Sequence, residues 1–120
     1  MYVQTRYTVT MLNKRQRLTK RAFDAAFARG TRYHSPTMQL IYDNSDPEFH
    51  GAVVVGKKVY KQAVDRNRLR RRLYGALYRL HQTHQLTGTF ILIAKPSAAT
   101  AAPQELTETL TTLMAKVRRQ

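Results

Sequence analysis

Leu69, Leu73, Ala76, Leu77 and Leu80 recur in the middle of the chain at spacings of four, three, one and three. At about 100° per residue they fall within an arc of roughly 100°, the width of the apolar stripe by which a helix lies on a sheet. The stripe overlaps the stretch AVDRNRLRRR, residues 63–72, which holds Arg66, Arg68, Arg70, Arg71 and Arg72. The same period sorts these charges: Arg71 stands nearly opposite the stripe, Arg68, Arg72 and Arg79 line one flank, and Arg66 and Arg70 the other. Like charges three and four apart destabilise a helix, and Gly75 costs about 1 kcal/mol relative to Ala. The leucines must therefore find a sheet, and the arginines are held in fixed rows by that docking.

Apolar strands flank the helix. TMQLIYD alternates Met38, Leu40 and Tyr42 against Gln39, Ile41 and Asp43, the period of a half-buried strand. The turn-rich NSDPEFHG separates it from AVVV, Ala52 to Val55, which predicts a hairpin between the two. FILIA, Phe90 to Ala94, is too uniformly apolar for an edge strand and is stopped by Pro96. A first helix is predicted from Lys20 to Arg29, with Thr19 as N-cap, Leu18 and Phe23 as a hydrophobic staple, and Gly30 ending it in a left-handed conformation. A last helix runs from about Pro103 to Arg118. Glu105 and Glu108 complement its positive end, Arg118 and Arg119 its negative end, and Leu106, Leu110, Leu113, Met114 and Val117 dock it.

At 120 residues the chain has the length of one domain with a single core. Residues 1–16 read as a flexible basic arm, and residues 17–120 as the folded unit. The 21 Lys+Arg against 7 Asp+Glu give a formal charge of +14, more than solubility requires. Such a field serves nucleic acid more often than an anionic membrane. Lys57, Lys58 and Lys61 lie where the AVVV strand gives way to the arginine helix. Half of the sixteen positions from Lys57 to Arg72 are basic, with only Asp65 in opposition, whereas an ordinary exposed helix mixes signs. Arginine suits bidentate phosphate contact and stacking on bases. With no cysteine, disulfides and thiolate zinc sites are excluded, and a cytoplasmic location is expected. No stretch reads as a membrane span or a signal peptide.

Independent nuclease chemistry would need carboxylates converging on Mg²⁺. Here Asp43, Asp46 and Glu48 fall in a turn, Glu105 and Glu108 cap the last helix, and Asp24 and Asp65 stand alone. His81 and His84 read as an exposed pair without a third ligand, and His34 and His50 as loop residues. No catalytic residue and no protein metal site is predicted.

KKVYKQAVDRNRLRRR resembles the signature of the bacterial ribonuclease P protein subunit: paired lysines, a short loop, Ala-Val, then Arg-Asn-Arg with further basic positions. The resemblance extends in order from Arg17 to Val117. It takes in Phe23 and Phe27 four apart, Arg29-Gly30 after them, a Tyr ending a strand, and an apolar strand closing on Ala-Lys-Pro, Ala94 to Pro96. It departs from the pattern at Lys61, where glycine is common, at Arg72, where an aliphatic residue is frequent, and at Tyr74 and Gly75, where an arginine and an acidic residue are usual.

The resemblance implies an α+β fold, an α-β-β-β-α-β-α two-layer sandwich on a small mixed sheet with a left-handed βαβ crossover, against the general rule of hand. It implies a protein, monomeric when free, that binds a catalytic ribonuclease P RNA and precursor tRNA and promotes removal of the 5′ leader. Lys57, Lys58, Lys61, Arg66, Asn67, Arg68, Arg70 and Arg71 would meet the RNA subunit. Phe23, Phe27 and Tyr42 would floor a cleft for the single-stranded leader, and Mg²⁺ would be held by the RNA and its substrate. The alternative is a ribosomal or rRNA-binding protein with no catalytic partner. DNA binding is the weakest reading, since no short helix-turn-helix pair is found.

Overall fold

The computed structural model describes residues 18–118, so the arm at 1–16, Arg17 and Arg119 lie outside the described residues. Its elements are α1 (Lys20–Arg29), β1 (Thr31–His34), β2 (Met38–Asp43), β3 (Phe49–Val54), α2 (Ala63–His84), β4 (Gly88–Ala94), a 3₁₀ turn (Pro96–Ala99) and α3 (Pro103–Arg118). This is the order α-β-β-β-α-β-α. The Thr19 hydroxyl accepts from the Ala22 backbone N–H at 3.1 Å and begins α1 as expected. β1 carries no apolar alternation, and the residue pattern alone did not reveal it.

The sheet runs β1-β2-β4-β3, with β1–β2 and β2–β4 antiparallel and β3–β4 parallel. The hairpin expected between β2 and β3 does not form; β1 and β2 make it instead, around Ser35–Thr37. β4 separates β2 from β3 because its side chains are apolar on both faces and only a central position buries both. Phe90 and Leu92 point with Met38 and Leu40 into the core under α2 and α3, while Ile91 points with Ile41 toward Ala26 of α1. All seven are buried. Thus α2 and α3 form one layer, and α1 adds a partial third layer on the opposite face to the two expected.

Leu69, Leu73, Ala76 and Leu77 are buried on α2, as are Leu106, Leu110, Leu113, Met114 and Val117 on α3. Leu80, the last residue of the α2 stripe, is only half-buried against the same core; otherwise both apolar stripes do what their spacing requires, and the arginines of α2 are left on its other faces. Burying one such leucine stabilises a fold by about 1.5–3 kcal/mol, enough to outweigh the repulsion within the arginine rows.

Gly30 is not left-handed. Its φ of −67° and ψ of 153° are extended. Glycine is needed there for another reason: a Cβ would collide with Ile41 Cγ2 and stand 2.8 Å from the Ala26 carbonyl oxygen. The chain passes so close to β2 that no side chain fits. At the other end of the sheet, the Ala-Lys-Pro segment ties β4 to the β1–β2 turn. Lys95 donates from its backbone N–H to the Thr37 carbonyl at 2.8 Å and from Nζ to the Ser35 carbonyl at 2.6 Å. This lysine is spent on architecture.

Candidate nucleic-acid interface

The basic surface begins where β3 ends. Val55 and Val59 are buried and pin the connection to α2 from beneath, leaving Lys57, Lys58 and Lys61 exposed between and beyond them. The Tyr60 hydroxyl donates to the Ala99 carbonyl at 3.0 Å, anchoring the loop to the segment before α3. α2 starts without a side-chain cap, since Gln62 makes no capping hydrogen bond. Arg66 supplies the closure instead: its Nη1 donates to the Tyr60 carbonyl at 3.1 Å and the Lys61 carbonyl at 2.7 Å. The guanidinium thereby locks the lysine loop onto the first turn of the helix.

The remaining arginines divide by partner. Arg68 is exposed and pairs through Nη1 with Asp65 Oδ1 at 3.2 Å. Arg70 is half-buried and donates to Asn67 Oδ1, so Asn67 orients an arginine. Arg71 is half-buried, although the helical period places it nearly opposite the leucine stripe, and Arg72 is exposed. Lys57, Lys58, Lys61, Arg68 and Arg72 therefore carry exposed charge, while Arg66 and Asn67 position others. Sequence reasoning assigned all of these but Arg72 one task. The distinction depends on reach across five residues, from Arg66 back to Lys61, which residue spacing does not report.

On the other side of the sheet the expected aromatic cluster is only partly assembled. Phe23 and Phe27 stack with ring centroids 5.8 Å apart and planes at 23°, and Phe27 is 40% exposed. Arg32 of β1, missed by the sequence reading, sits with its guanidinium carbon 4.6 Å from the Phe27 ring centroid and donates to the Phe27 carbonyl at 2.8 Å. Tyr42 does not join them. It lies beside Phe90 with centroids 4.9 Å apart, on the face covered by α2 and α3. Strand side chains alternate between faces, and Ile41, fully buried, holds the position facing α1. The cleft as expected from Phe23, Phe27 and Tyr42 thus spans two faces of one sheet.

Arg29 of α1 donates to Asp43 Oδ2 at 2.8 Å, and Ser45 donates to the same oxygen at 3.0 Å. Burial pushes the Asp43 carboxyl up, but these hydrogen bonds and the guanidinium charge outweigh it and hold the group below its ordinary range. Asp43 is therefore a buried end-of-strand anchor and not a turn residue. The histidines also differ from expectation. His81 is half-buried and stacks on Phe49 with centroids 4.1 Å apart, and burial lowers its pKa. His34 ends β1 and His50 lies in β3. Among the described residues no three His, Cys, Asp or Glu side chains converge to hold a metal ion, and no helix is long and apolar enough to cross a membrane.

Fold and surface together define a small, strongly basic α+β domain in which an exposed lysine loop leads into an arginine helix. The particular family follows from comparison: the profile described as Ribonuclease P matches residues 12–118, and the chain belongs to that family. It is 33% identical over 102 residues to the ribonuclease P protein component of a Nitratiruptor species, covering 85% of this chain and 91% of that protein. A ribonuclease P protein component of a Pseudanabaena species is 31% identical over 112 residues, covering 90% and 96%. The fold is shared with the Staphylococcus aureus RNase P protein, with a TM-score of 0.75 at 22% identity over 85% of this chain and 94% of that one. It is shared too with the Thermotoga maritima RNase P protein, with a TM-score of 0.68 at 18% identity over 86% and 93%.

Proposed function

We propose that this chain is the protein subunit of a ribonuclease P, binding the catalytic RNA through Lys57–Arg72 and assisting endonucleolytic removal of the 5′ leader from precursor tRNA. The observation that carries this reading is the construction of the basic surface. Eight of sixteen residues are basic against Asp65 alone, and the Arg66 clamp and the buried leucines hold them on one rigid loop-helix unit. A preorganised array loses less side-chain entropy on meeting a phosphate backbone than a flexible tail does. Lys57, Lys58, Lys61, Arg68, Arg70, Arg71 and Arg72 face the RNA subunit in this reading; Arg66 and Asn67 position their neighbours.

The single-stranded leader is assigned to the α1 side of the sheet, along Phe27, Phe23 and Arg32. An exposed ring with an adjoining guanidinium offers bases a stacking platform without sequence preference. Tyr42 is dropped from this platform because it faces the other way. Hydrolysis is assigned to the RNA and the Mg²⁺ held by RNA and substrate, since the carboxylates of the described residues form no ligand set. The protein is taken to be a cytoplasmic monomer when free.

Reconstitution tests the proposal. Adding the protein to a bacterial ribonuclease P RNA at low Mg²⁺ is expected to restore 5′ cleavage of precursor tRNA, and the protein alone is expected to cleave nothing. Failure to stimulate any bacterial ribonuclease P RNA, with tight binding to an rRNA fragment, would instead make it an rRNA-binding protein.

A further inference from the structure

A hollow of about 230 Å³ opens between the first turns of α2 and the segment leading into α3. Leu69 and Leu106, both buried, line its apolar part, with Ala101 at one wall and the Tyr60 ring at another. Arg68 and Arg72, one helical turn apart and both exposed, also line it. Two features make it a shaped site. The Tyr60 hydroxyl is tied to the Ala99 carbonyl at 3.0 Å, which fixes the ring, and Asp65 holds the Arg68 guanidinium through a 3.2 Å contact. The hollow is smaller than the roughly 300–1,000 Å³ of pockets that enclose drug-sized ligands. It suits a single planar ring.

We infer that this hollow receives one unstacked base of the RNA partner, with the flanking phosphates on Arg68 and Arg72. The inference rests on the reading that RNA is the ligand of α2. An apolar slot with a fixed aromatic wall matches a base, and two arginines at i and i+4 match its adjoining phosphates. A second hollow, about 320 Å³ between the β1–β2 turn and α3, shows the contrast. It too has apolar lining, but there Glu105 and Glu108 outnumber Lys116, whereas in the first hollow Arg68 and Arg72 outnumber Asp65. The net charge thus disfavours a phosphate backbone in the second and favours it in the first. Charge complementarity therefore selects the hollow beside α2. In consequence the arginine helix does more than attract phosphate: it has one place where the RNA must present an unpaired nucleotide, which sets the register of the complex.

The test is equilibrium binding of a bacterial ribonuclease P RNA by the full chain at several salt concentrations. Ala101→Leu fills the hollow without removing charge. Affinity is expected to fall about five- to 150-fold, the range that loss of one base stack spans, with the salt slope unchanged because no phosphate contact is lost. Thr109→Leu, which crowds the second hollow and not the first, is expected to bind as the parent does. Wild-type affinity for Ala101→Leu would overturn the pocket while leaving the functional reading intact; failure of the parent chain to bind the RNA would instead sink that reading. Should Ala101→Leu melt at a much lower temperature, ultraviolet crosslinking of the parent complex decides. A nucleotide adduct on Tyr60 supports the inference, and adducts only on other residues overturn it.

Discussion

Arg66 and Lys61, both basic and five residues apart, stand in a donor–acceptor relation: the Arg66 guanidinium hydrogen-bonds the Lys61 backbone carbonyl at 2.7 Å, with a second bond to the Tyr60 carbonyl. One charge is used to aim another. The arginine at the head of the Arg-Asn-Arg block is thus part of the fold, and its replacement should read differently from that of its neighbour two residues on.

Arg66→Gln is expected to lower folding stability by about 1.5 kcal/mol, since it breaks two charge-assisted hydrogen bonds at a helix start that has no side-chain cap. Arg68→Gln should stay within about 0.5 kcal/mol, because it loses only an exposed ion pair. Both should weaken RNA binding. Urea denaturation of the two variants separates them, and equal stabilities would show that Arg66 has no clamping role.

Gly30→Ala should destabilise the protein by about 1–3 kcal/mol, the usual cost of forcing atoms into a filled space. The added methyl would meet Ile41 Cγ2 and the Ala26 carbonyl at contact distances no packed structure tolerates. Because the backbone there is extended, the penalty is steric and not conformational. Ile41→Ala removes the clashing Cγ2, so Gly30→Ala combined with it should cost less than the sum of the two single changes. Two-state thermal melts of the single and double variants measure it, and full additivity of the two changes would contradict the clash.

How much of this was legible beforehand depends on distance along the chain. The stripes of α2 and α3 and the N-cap of α1 are local patterns within a few residues, and spacing reports them; the conformation of Gly30 was not legible, because it is set by the close approach of β2. The central position of β4 was legible in part, because an unbroken apolar run excludes an edge. Its insertion between β2 and β3 was not, since turn residues at NSDPEFHG look alike whether the next strand pairs in place or crosses over. Tyr42 was misplaced for a different reason: alternation shows that Leu40 and Ile41 face opposite sides, but not which side carries α1. β1, with its sequence TRYH, has one half-buried side chain among exposed ones and leaves no periodic signal.

Asp43 gives the fold an acid sensitivity that Arg29 controls. With its pKa held below the ordinary 3.8, the folded protein binds fewer protons at this site than the unfolded chain. Its stabilisation is therefore complete above about the ordinary carboxylate value and is lost as pH falls through the lower folded value. In Arg29→Gln the burial penalty is less opposed and the folded pKa moves up, so the variant is weakened most at neutral pH. The difference in urea midpoint between parent and variant should shrink as pH is lowered from 7 to below 3.8. A difference independent of pH would show that the ion pair is not coupled to folding.

The leader platform can be tested by a comparison that the sheet itself provides. Phe27 is exposed on the α1 side, whereas Tyr42 packs against Phe90 on the α2 side. Phe27→Leu keeps apolar bulk but removes a ring face, so affinity of the reconstituted holoenzyme for precursor tRNA should fall by about 1–3 kcal/mol. Affinity for mature tRNA, which lacks a leader, should hold. Tyr42→Leu removes an aromatic pair from the core and should lower folding stability by about 0.5–1.5 kcal/mol, while the ratio of precursor to mature affinity stays at its parent value. Arg32→Gln should follow Phe27→Leu in direction, since its guanidinium lies over that ring. Working with the ratio removes effects on RNA-subunit assembly, which weaken both substrates together. A ratio that falls for Tyr42→Leu and not for Phe27→Leu would move the leader to the helix-covered face and overturn the assignment.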